Sequence, residues 1–346
     1  MARADNDLRR RGRRALASLR RRDSNEASEG NGADAGSGQA NPQPGVEVEA
    51  SDSADQRRGV PQFESPPLEA ADAPTRQILE RAHEDPGPLE LPRVLAIANQ
   101  KGGVGKTTTA VNLGSALAEA GFRVLVVDLD PQGNASTGLG VNPRDLDTSV
   151  YDVVMNDVGL DDCIEPTSLK NLFVAPATIE LAGAEIELVP VMSRELKLRK
   201  AINDVRDDYD IVLIDCPPSL GLLTVNGLAA ADDVIVPIQC EYYALEGLGQ
   251  LLRNVGMVRG NLNPTLDVRG IVLTMYDART RLAAGVAAEV REHFSHEVLR
   301  TSIPRSVRIS EAPSYGQTVM TYDPGSPGAL SYLEAAREMA LKGEHA

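Results

Sequence analysis

The sequence has no tryptophan, and aromatic residues make up only 3% of its 346 positions. Hydrophobic residues still reach 42%, so we expect a largely aliphatic core of a size that a globular domain needs. The shortage of aromatic side chains argues against a surface that binds nucleic acid by stacking on its bases.

Cysteine is also scarce, and long apolar runs are absent. Cys163, Cys216 and Cys240 lie far apart and form no C-x-x-C pair, which predicts buried thiols and excludes a disulfide framework or a paired-cysteine metal cluster. No apolar run approaches the roughly 18 residues of a membrane-spanning helix. The first residues lack the apolar segment of a secretory signal, so we expect a cytoplasmic protein.

The net charge of −15 is unevenly distributed along the chain. Residues 1–22 contain nine Arg and have a net charge of +7, whereas residues 23–90 have a net charge of −11. Residues 23–75 are rich in small and acidic residues and poor in large apolar ones, a composition typical of disorder. We predict a disordered N-terminal extension over 1–90. Its basic part is either a solvated arginine run or an arm that binds DNA or a membrane surface.

From residue 91 onwards, short apolar runs alternate with segments of helical periodicity. This alternation predicts a single α/β domain over 91–346, with a mostly parallel sheet flanked by helices on both faces. The predicted strands are VLAIA (94–98), RVLVVD (123–128), DIVLID (210–215), DVIVPI (233–238) and VRGIVLTM (268–275). The clearest helical stretches are 107–121, 193–208, 244–260 and 282–294.

Residues 99–108 read NQKGGVGKTT and connect the first predicted strand to a helix. They end in the G-K-[ST] of a phosphate-binding P-loop, although Gln100 replaces the first glycine of that motif. Glycine loops of this kind hold phosphate oxygens with backbone N–H groups. Lys106 is predicted to contact the β- and γ-phosphates, and the Thr107 hydroxyl to bind Mg²⁺. A second lysine, Lys101, has no role in an ordinary P-loop.

Carboxylates follow two of the predicted strands at their carboxyl ends, where open α/β sheets bind ligands. Asp215 ends the run IVLID, as a Walker-B carboxylate does, and is predicted to hold Mg²⁺ through water. Asp128 and Asp130 belong to the segment DLDPQGN. Asp130 could orient the attacking water, whereas Asp128 is more consistent with a structural role.

The segment KGGVGKTT, with Lys101, resembles the deviant Walker A motif of the ParA/MinD family of dimerising ATPases, whose fold is a P-loop NTPase. Later segments are similar to chromosome-partitioning ParA (Soj-type) proteins, so the resemblance spans about 91–342. These segments are DLDPQGNASTGLG (128–140), ATIELAGAEIELVP (177–190), DCPPSLGLLTVN (215–226), QCEYYALEGLGQLL (239–252), LTMYDARTRL (273–282) and IPRSVRISEAPSYGQ (303–317).

The resemblance implies an ATP-dependent homodimer in which Lys101 crosses the interface to the partner's ATP. It also implies that Asp130 is the hydrolysis residue and that Mg²⁺ accompanies ATP. Pro304 and Ser306 match positions on the adenine side of the nucleotide. The nucleotide-binding residues of the loop itself would be Lys101, Gly102, Gly103, Val104, Gly105, Lys106, Thr107 and Thr108.

The same resemblance implies binding to nonspecific double-stranded DNA through Arg279 and Arg308, and a ParB-type centromere-binding partner that stimulates hydrolysis. A protein of this kind partitions chromosomes or plasmids and is associated with the nucleoid. The alternative is a MinD-like membrane-associated positioning ATPase. The mildly acidic C-terminal segment ALSYLEAAREMALKGEHA argues against a membrane partner, because its spaced Leu and Met residues are predicted to be core contacts.

Overall fold

The computed structural model describes residues 93–241 and 244–341. The predicted N-terminal extension, with its basic and acidic parts, lies outside these residues. Seven strands form one sheet in the order β3-β4-β2-β5-β1-β6-β7. Neighbouring strands are parallel except for the short β3, which pairs antiparallel with β4. The strands are β1 (Arg93–Ile97), β2 (Val124–Asp128), β3 (Glu165–Pro166), β4 (Leu172–Ala175), β5 (Ile211–Asp215), β6 (Asp233–Gln239) and β7 (Asp267–Thr274).

Eleven α-helices connect or flank these strands within the described part of the chain. They are α1 (Lys106–Glu119), α2 (Asn134–Gly138), α3 (Val150–Met155), α4 (Leu181–Glu187), α5 (Lys197–Asn203), α6 (Leu222–Ala230), α7 (Ala244–Asn261), α8 (Arg281–His293), α9 (Val307–Glu311), α10 (Val319–Tyr322) and α11 (Pro327–Leu341). Five short 3₁₀ helices lie between them, at Pro143–Asp145, Leu160–Asp162, Arg194–Leu196, Arg206–Asp208 and Ala312–Tyr315.

The core lies on both faces of the sheet, and alternate strand residues enter different faces. In β1, Val94 and Ala96 join a cluster formed with α3 to α8, whereas Leu95 and Ile97 join a cluster formed with α1, α2 and α9 to α11. Burial on both faces explains why the strands read as continuous apolar runs. The predicted fold class, a mostly parallel sheet flanked by helices, is confirmed. The three cysteines are buried free thiols, as predicted.

The predicted helix over 193–208 is wrong in its extent, because α5 covers only its middle. Ser193 adopts a left-handed conformation with φ of 54°, and a 3₁₀ turn precedes α5. The Asn226 side chain on α6 holds this junction, since it accepts a hydrogen bond from the Leu198 N–H and donates one to the Arg194 carbonyl. A tertiary contact therefore interrupts a segment whose local pattern is helical.

Helix α11 uses most of its apolar residues in the core, where it packs on α1. Met339 is buried and Leu333 packs against the same cluster, as the sequence predicted, but Leu330 is exposed. The tyrosine hydroxyl of Tyr332 lies 3.5 Å from the Thr109 hydroxyl on α1. In the described residues, no helix combines the length and apolar character that a membrane crossing requires.

Candidate functional site

The loop between β1 and α1 has the conformation that phosphate binding requires. Gly103 and Gly105 have φ values of 73° and 88°, which strain any residue with a Cβ. Gly105 is also the N-cap of α1, and no side chain caps that end of the helix. The first N–H groups of a 14-residue helix are therefore left for an anion, which the helix dipole also favours.

Two side chains outside the glycines fix the shape of this loop. Asn99 donates from Nδ2 to the Pro237 carbonyl of β6 at 2.8 Å, and its Oδ1 accepts from the Lys101 N–H at 3.0 Å. Thr274, the last residue of β7, donates from its hydroxyl to the Val104 carbonyl at 2.8 Å. The loop is thus held from two neighbouring strands, β6 and β7.

Lys106 opens α1 and is turned into the protein. Only 7% of the residue is exposed, and its Nζ lies 3.3 Å from the Lys101 carbonyl oxygen. Burial lowers the pKa of Lys106, although the charges of Asp215 and then of Cys216 and Asp130 oppose this shift. A buried ammonium that contacts a carbonyl of the loop can neutralise a phosphate that enters the loop.

Asp215 ends β5 directly beside Asp128 at the end of β2, because the two residues are register partners of the parallel pair. Asp215 is fully buried, and neither of its carboxylate oxygens has a hydrogen-bond partner among the described residues. Burial raises the pKa of Asp215 well above its usual range, and the charge of Asp128 raises it further. The nearby Thr107 hydroxyl and the Lys106 ammonium favour its charged form. Buried, unpaired carboxylate oxygens beside a hydroxyl fit a divalent cation such as Mg²⁺.

Asp128 and Asp130 have different surroundings although they are two residues apart. The Asp128 carboxylate accepts from the Ser136 N–H at 2.8 Å, from the Ser136 hydroxyl at 2.7 Å and from the Asp130 N–H at 3.2 Å. Burial raises the pKa of Asp128 to about 6, although these hydrogen bonds lower it. Its contacts are those of a residue that anchors α2, which agrees with the structural role favoured by the sequence.

Asp130 instead follows the end of β2 and is not completely buried. It is 8% exposed, and its Oδ1 accepts from the Gln132 N–H at 3.0 Å. The backbone carbonyl of Asp130 accepts from Gly133, which begins α2 in a left-handed conformation. A short turn therefore holds Asp130 beyond the end of β2, on the same sheet edge as Asp215 and the glycine loop.

Lys101 differs from Lys106 in both direction and exposure. Its side chain is about one-third exposed, and Nζ forms an ion pair with Glu241 at 3.1 Å. Glu241 follows β6 and also accepts a hydrogen bond from the Gln239 side-chain amide. The sequence did not single out Glu241, because a contact across 140 positions leaves no local signal. The loop therefore presents one lysine to its own interior and one to the surface.

The segment that contains Pro304 and Ser306 reaches the same edge through β7. Tyr276 and Pro304 form an isolated parallel bridge, in which the Tyr276 N–H donates to the Ile303 carbonyl at 2.9 Å. Ser306 follows as the N-cap of α9, and its side chain makes no capping hydrogen bond. The structure thus places both residues just beyond the end of β7, whose Thr274 contacts the phosphate loop.

Arg279 and Arg308 are exposed, and both form ion pairs with carboxylates. The Arg279 guanidinium bonds Asp277 in a bidentate manner, at 2.9 Å and 2.8 Å, and these bonds hold the pKa of Asp277 at about 2. Arg308 pairs with Glu311 at 3.3 Å and with Asp323 at 3.4 Å. The acidic partners could not be assigned from sequence, since nearby carboxylates are common throughout this chain.

An AAA-domain family model matches residues 92–268, which include the loop and both strand-end carboxylates. The sporulation initiation inhibitor protein Soj of Bacillus subtilis is 56% identical over 251 residues, covering 72% of this chain and 99% of that protein. The chromosome partitioning protein ParA of Caulobacter vibrioides is 55% identical over 249 residues, covering 71% and 93% of the two chains. The chain belongs to the ParA/Soj family of chromosome-partitioning ATPases.

This ParA/Soj-type chain is also similar to a solved structure of a protein named cobyrinic acid a,c-diamide synthase, from Mycobacterium smegmatis, with bound ADP and magnesium. The two share 44% sequence identity with a TM-score of 0.63, over 71% of this chain and 93% of the other.

Proposed function

We propose that this ParA/Soj-type chain is an ATP-dependent dimerisation switch. It binds DNA without sequence specificity and hydrolyses ATP to drive the partitioning of a chromosome or plasmid with a ParB-type partner. The observation that supports the proposal best is that the two lysines of one loop differ in burial. Lys106 is buried and contacts the Lys101 carbonyl of its own loop, whereas the Lys101 side chain is about one-third exposed.

ATP and Mg²⁺ are the proposed ligands of the loop. The backbone N–H groups of residues 102–108 surround the phosphates, and Lys106 neutralises their charge. Thr107 and Asp215 hold the metal ion, Asp215 through water, and the ion stabilises negative charge on the phosphates when it is bound. Asp130 orients the attacking water. Pro304 and Ser306 lie on the adenine side of the nucleotide.

Lys101 is the proposed link between ATP and the dimer. The Lys101–Glu241 ion pair is partly exposed and therefore weak, so Lys101 can leave it for a phosphate of the partner subunit's ATP. A cation supplied in trans stabilises the charge of the transferring phosphoryl group, as an arginine finger does. It also makes the interface depend on the presence of the γ-phosphate.

We expect Lys101→Ala to weaken ATP-dependent dimerisation at least about thirtyfold. Each subunit would lose the desolvated contact between its Lys101 and a phosphate of the partner subunit's ATP. Sedimentation velocity with and without ATP measures this directly. Lys170→Ala, which removes an exposed lysine far from the loop in sequence, is the matched control and should dimerise like the wild type. Equal dimerisation of Lys101→Ala and wild type, or a wild-type dimer that ignores ATP, would contradict the switch.

DNA binding is proposed to use Arg279 and Arg308 in both copies of the dimer. The domain is acidic overall, so contacts with DNA phosphates need such local cations. Both arginines are exposed enough to exchange their carboxylate partners for phosphates. The proposed complex forms on the nucleoid, and the ParB-type partner releases it by stimulating hydrolysis.

We expect Arg279→Glu to lower the ATP-dependent affinity for random duplex DNA by roughly tenfold or more, since the dimer loses two cations and gains two anions. Fluorescence anisotropy at several salt concentrations gives the affinity and its salt dependence. Arg337→Glu is the control, because Arg337 is also exposed and paired with a nearby glutamate. Full DNA affinity in Arg279→Glu would remove Arg279 from the proposed surface.

A further inference from the structure

Thr274 lies at the junction between the phosphate loop and the segment that leads to Arg279. It is the last residue of β7 and is 2% exposed. Its hydroxyl donates to the Val104 carbonyl at 2.8 Å, and its side chain would lie 3.8 Å from a Cβ on Gly105. A phosphate that fixes the N–H groups of this loop also fixes the Val104 carbonyl, and with it the position of Thr274.

The chain beyond Thr274 is constrained and not free. Met275 has φ of 50°, a left-handed conformation that costs a non-glycine residue free energy and persists only where the surroundings impose it. Tyr276 is then bonded on both sides, because its N–H donates to the Ile303 carbonyl and its carbonyl accepts from the Arg305 N–H at 3.1 Å. A shift at Thr274 is therefore passed along the backbone instead of being absorbed there.

Asp277 joins this backbone to Arg279. Its Oδ1 accepts both the Arg279 N–H at 3.1 Å and Nε at 2.9 Å, and its Oδ2 accepts Nη2 at 2.8 Å. The Asp277 carbonyl accepts from the Thr280 N–H at 3.0 Å and also from the Thr280 hydroxyl. We call residues 276–280 the arginine turn. Its position sets both the direction of the guanidinium and the strength of its internal ion pair.

We propose that Thr274 is a positioning residue that ties the phosphate loop to the arginine turn, so that nucleotide binding changes the affinity of Arg279 for DNA phosphates. The inference rests on the proposed function for its DNA readout. Thr274 is buried, and its hydroxyl donates to the Val104 carbonyl. It acts through the Val104 carbonyl on one side and through Met275 and Tyr276 on the other.

The test compares Thr274→Val with Thr274→Ser. Valine keeps the branched shape and removes the hydroxyl, whereas serine keeps the hydroxyl and loses a methyl group. For each variant, ATP affinity is measured by titration, and duplex DNA affinity is measured with and without ATP. We expect Thr274→Val to lower the ratio of the two DNA affinities at least about fivefold, the lower end of usual coupling between sites, when the ATP concentration saturates each variant. Thr274→Ser should keep the wild-type ratio.

An amide hydrogen-exchange measurement on the arginine turn needs no DNA. Addition of ATP and Mg²⁺ should change exchange at Arg279 and Thr280 in the wild type and in Thr274→Ser, and should leave it unchanged in Thr274→Val. If Thr274→Val does not fold, Thr274→Ala replaces it.

The proposed coupling through Thr274 would be overturned if the variant that lacks the hydroxyl kept the wild-type exchange response. It would also be overturned if that variant kept the wild-type ratio of DNA affinities. If the wild-type protein shows the exchange response but no ATP-dependent DNA binding, the proposed function is overturned and the coupling through Thr274 is not. The two failures are therefore distinguishable.

Discussion

Asp130→Ala should lower ATP turnover by at least about a hundredfold, the usual contribution of a side chain that orients or deprotonates a nucleophile. Asp130 is held beyond the end of β2 by its bond from Gln132 and lies on the edge that carries Lys106 and Asp215. Alanine leaves the phosphate loop intact, so ATP should still bind. Because hydrolysis ends the proposed dimeric state, we expect the variant to accumulate dimer in ATP.

Phosphate release and sedimentation velocity on the same samples measure both effects. Asp147→Ala is the matched control, since Asp147 is an exposed carboxylate of the segment after α2 and belongs to no proposed catalytic group. It should hydrolyse ATP at the wild-type rate. Turnover by Asp130→Ala within a few-fold of wild type would mean that another group orients the water.

Asp215→Asn should make the nucleotide-free protein more stable and remove its response to Mg²⁺. The wild-type carboxylate is fully buried and its oxygens accept no hydrogen bond within the described part of the chain, so its charge is a cost of folding that a cation can offset. We expect the free energy of unfolding to rise by about 1–3 kcal/mol, because a neutral amide costs less to bury than a charged carboxylate. The extra stability that Mg²⁺ gives to the ATP-bound wild type should be absent.

The pH dependence gives a second readout of the same carboxylate. Burial raises the folded-state pKa of Asp215, so its contribution to stability is fully present below the unfolded pKa of about 3.9 and is lost as pH rises through the folded pKa. The gain in Asp215→Asn should therefore be larger at pH 8 than at pH 4. Urea unfolding at the two pH values, with and without ATP and Mg²⁺, separates these effects.

Asp233→Asn is the control for the burial of a carboxylate as such. Asp233 is also buried, but Arg93 pairs with it at 2.7 Å. Loss of that charge leaves Arg93 without its partner carboxylate. We therefore expect the free energy of unfolding to fall in Asp233→Asn, whereas it should rise in Asp215→Asn. A stability loss in Asp215→Asn, with an Mg²⁺ response like that of the wild type, would show that Asp215 is a structural residue and not a metal ligand.

The sequence by itself determined the parts of this protein that depend on local pattern. A strand, a glycine loop and a helix in immediate succession require only neighbouring residues, so 99–108 could be interpreted without a fold. Continuous apolar runs likewise predicted strands buried on both faces. The short β3 and β4 and the break in the predicted helix at 193–208 were not foreseen, because the Asn226 contacts that hold that break come from a distant helix.

Only the tertiary structure decided which distant residues meet at the loop. Burial in the assembled sheet raises the pKa of both Asp128 and Asp215, and the parallel register that brings Asp128 beside Asp215 raises the pKa of Asp215 further. The hydroxyl of Thr274 reaches the Val104 carbonyl across 170 positions of sequence. Lys101 meets Glu241 in the same way. Burial, desolvation and hydrogen-bond geometry arise only when the sheet assembles. Periodicity and motif spacing could therefore predict the candidate reacting groups, but they could not predict the distant contacts that hold these groups in place.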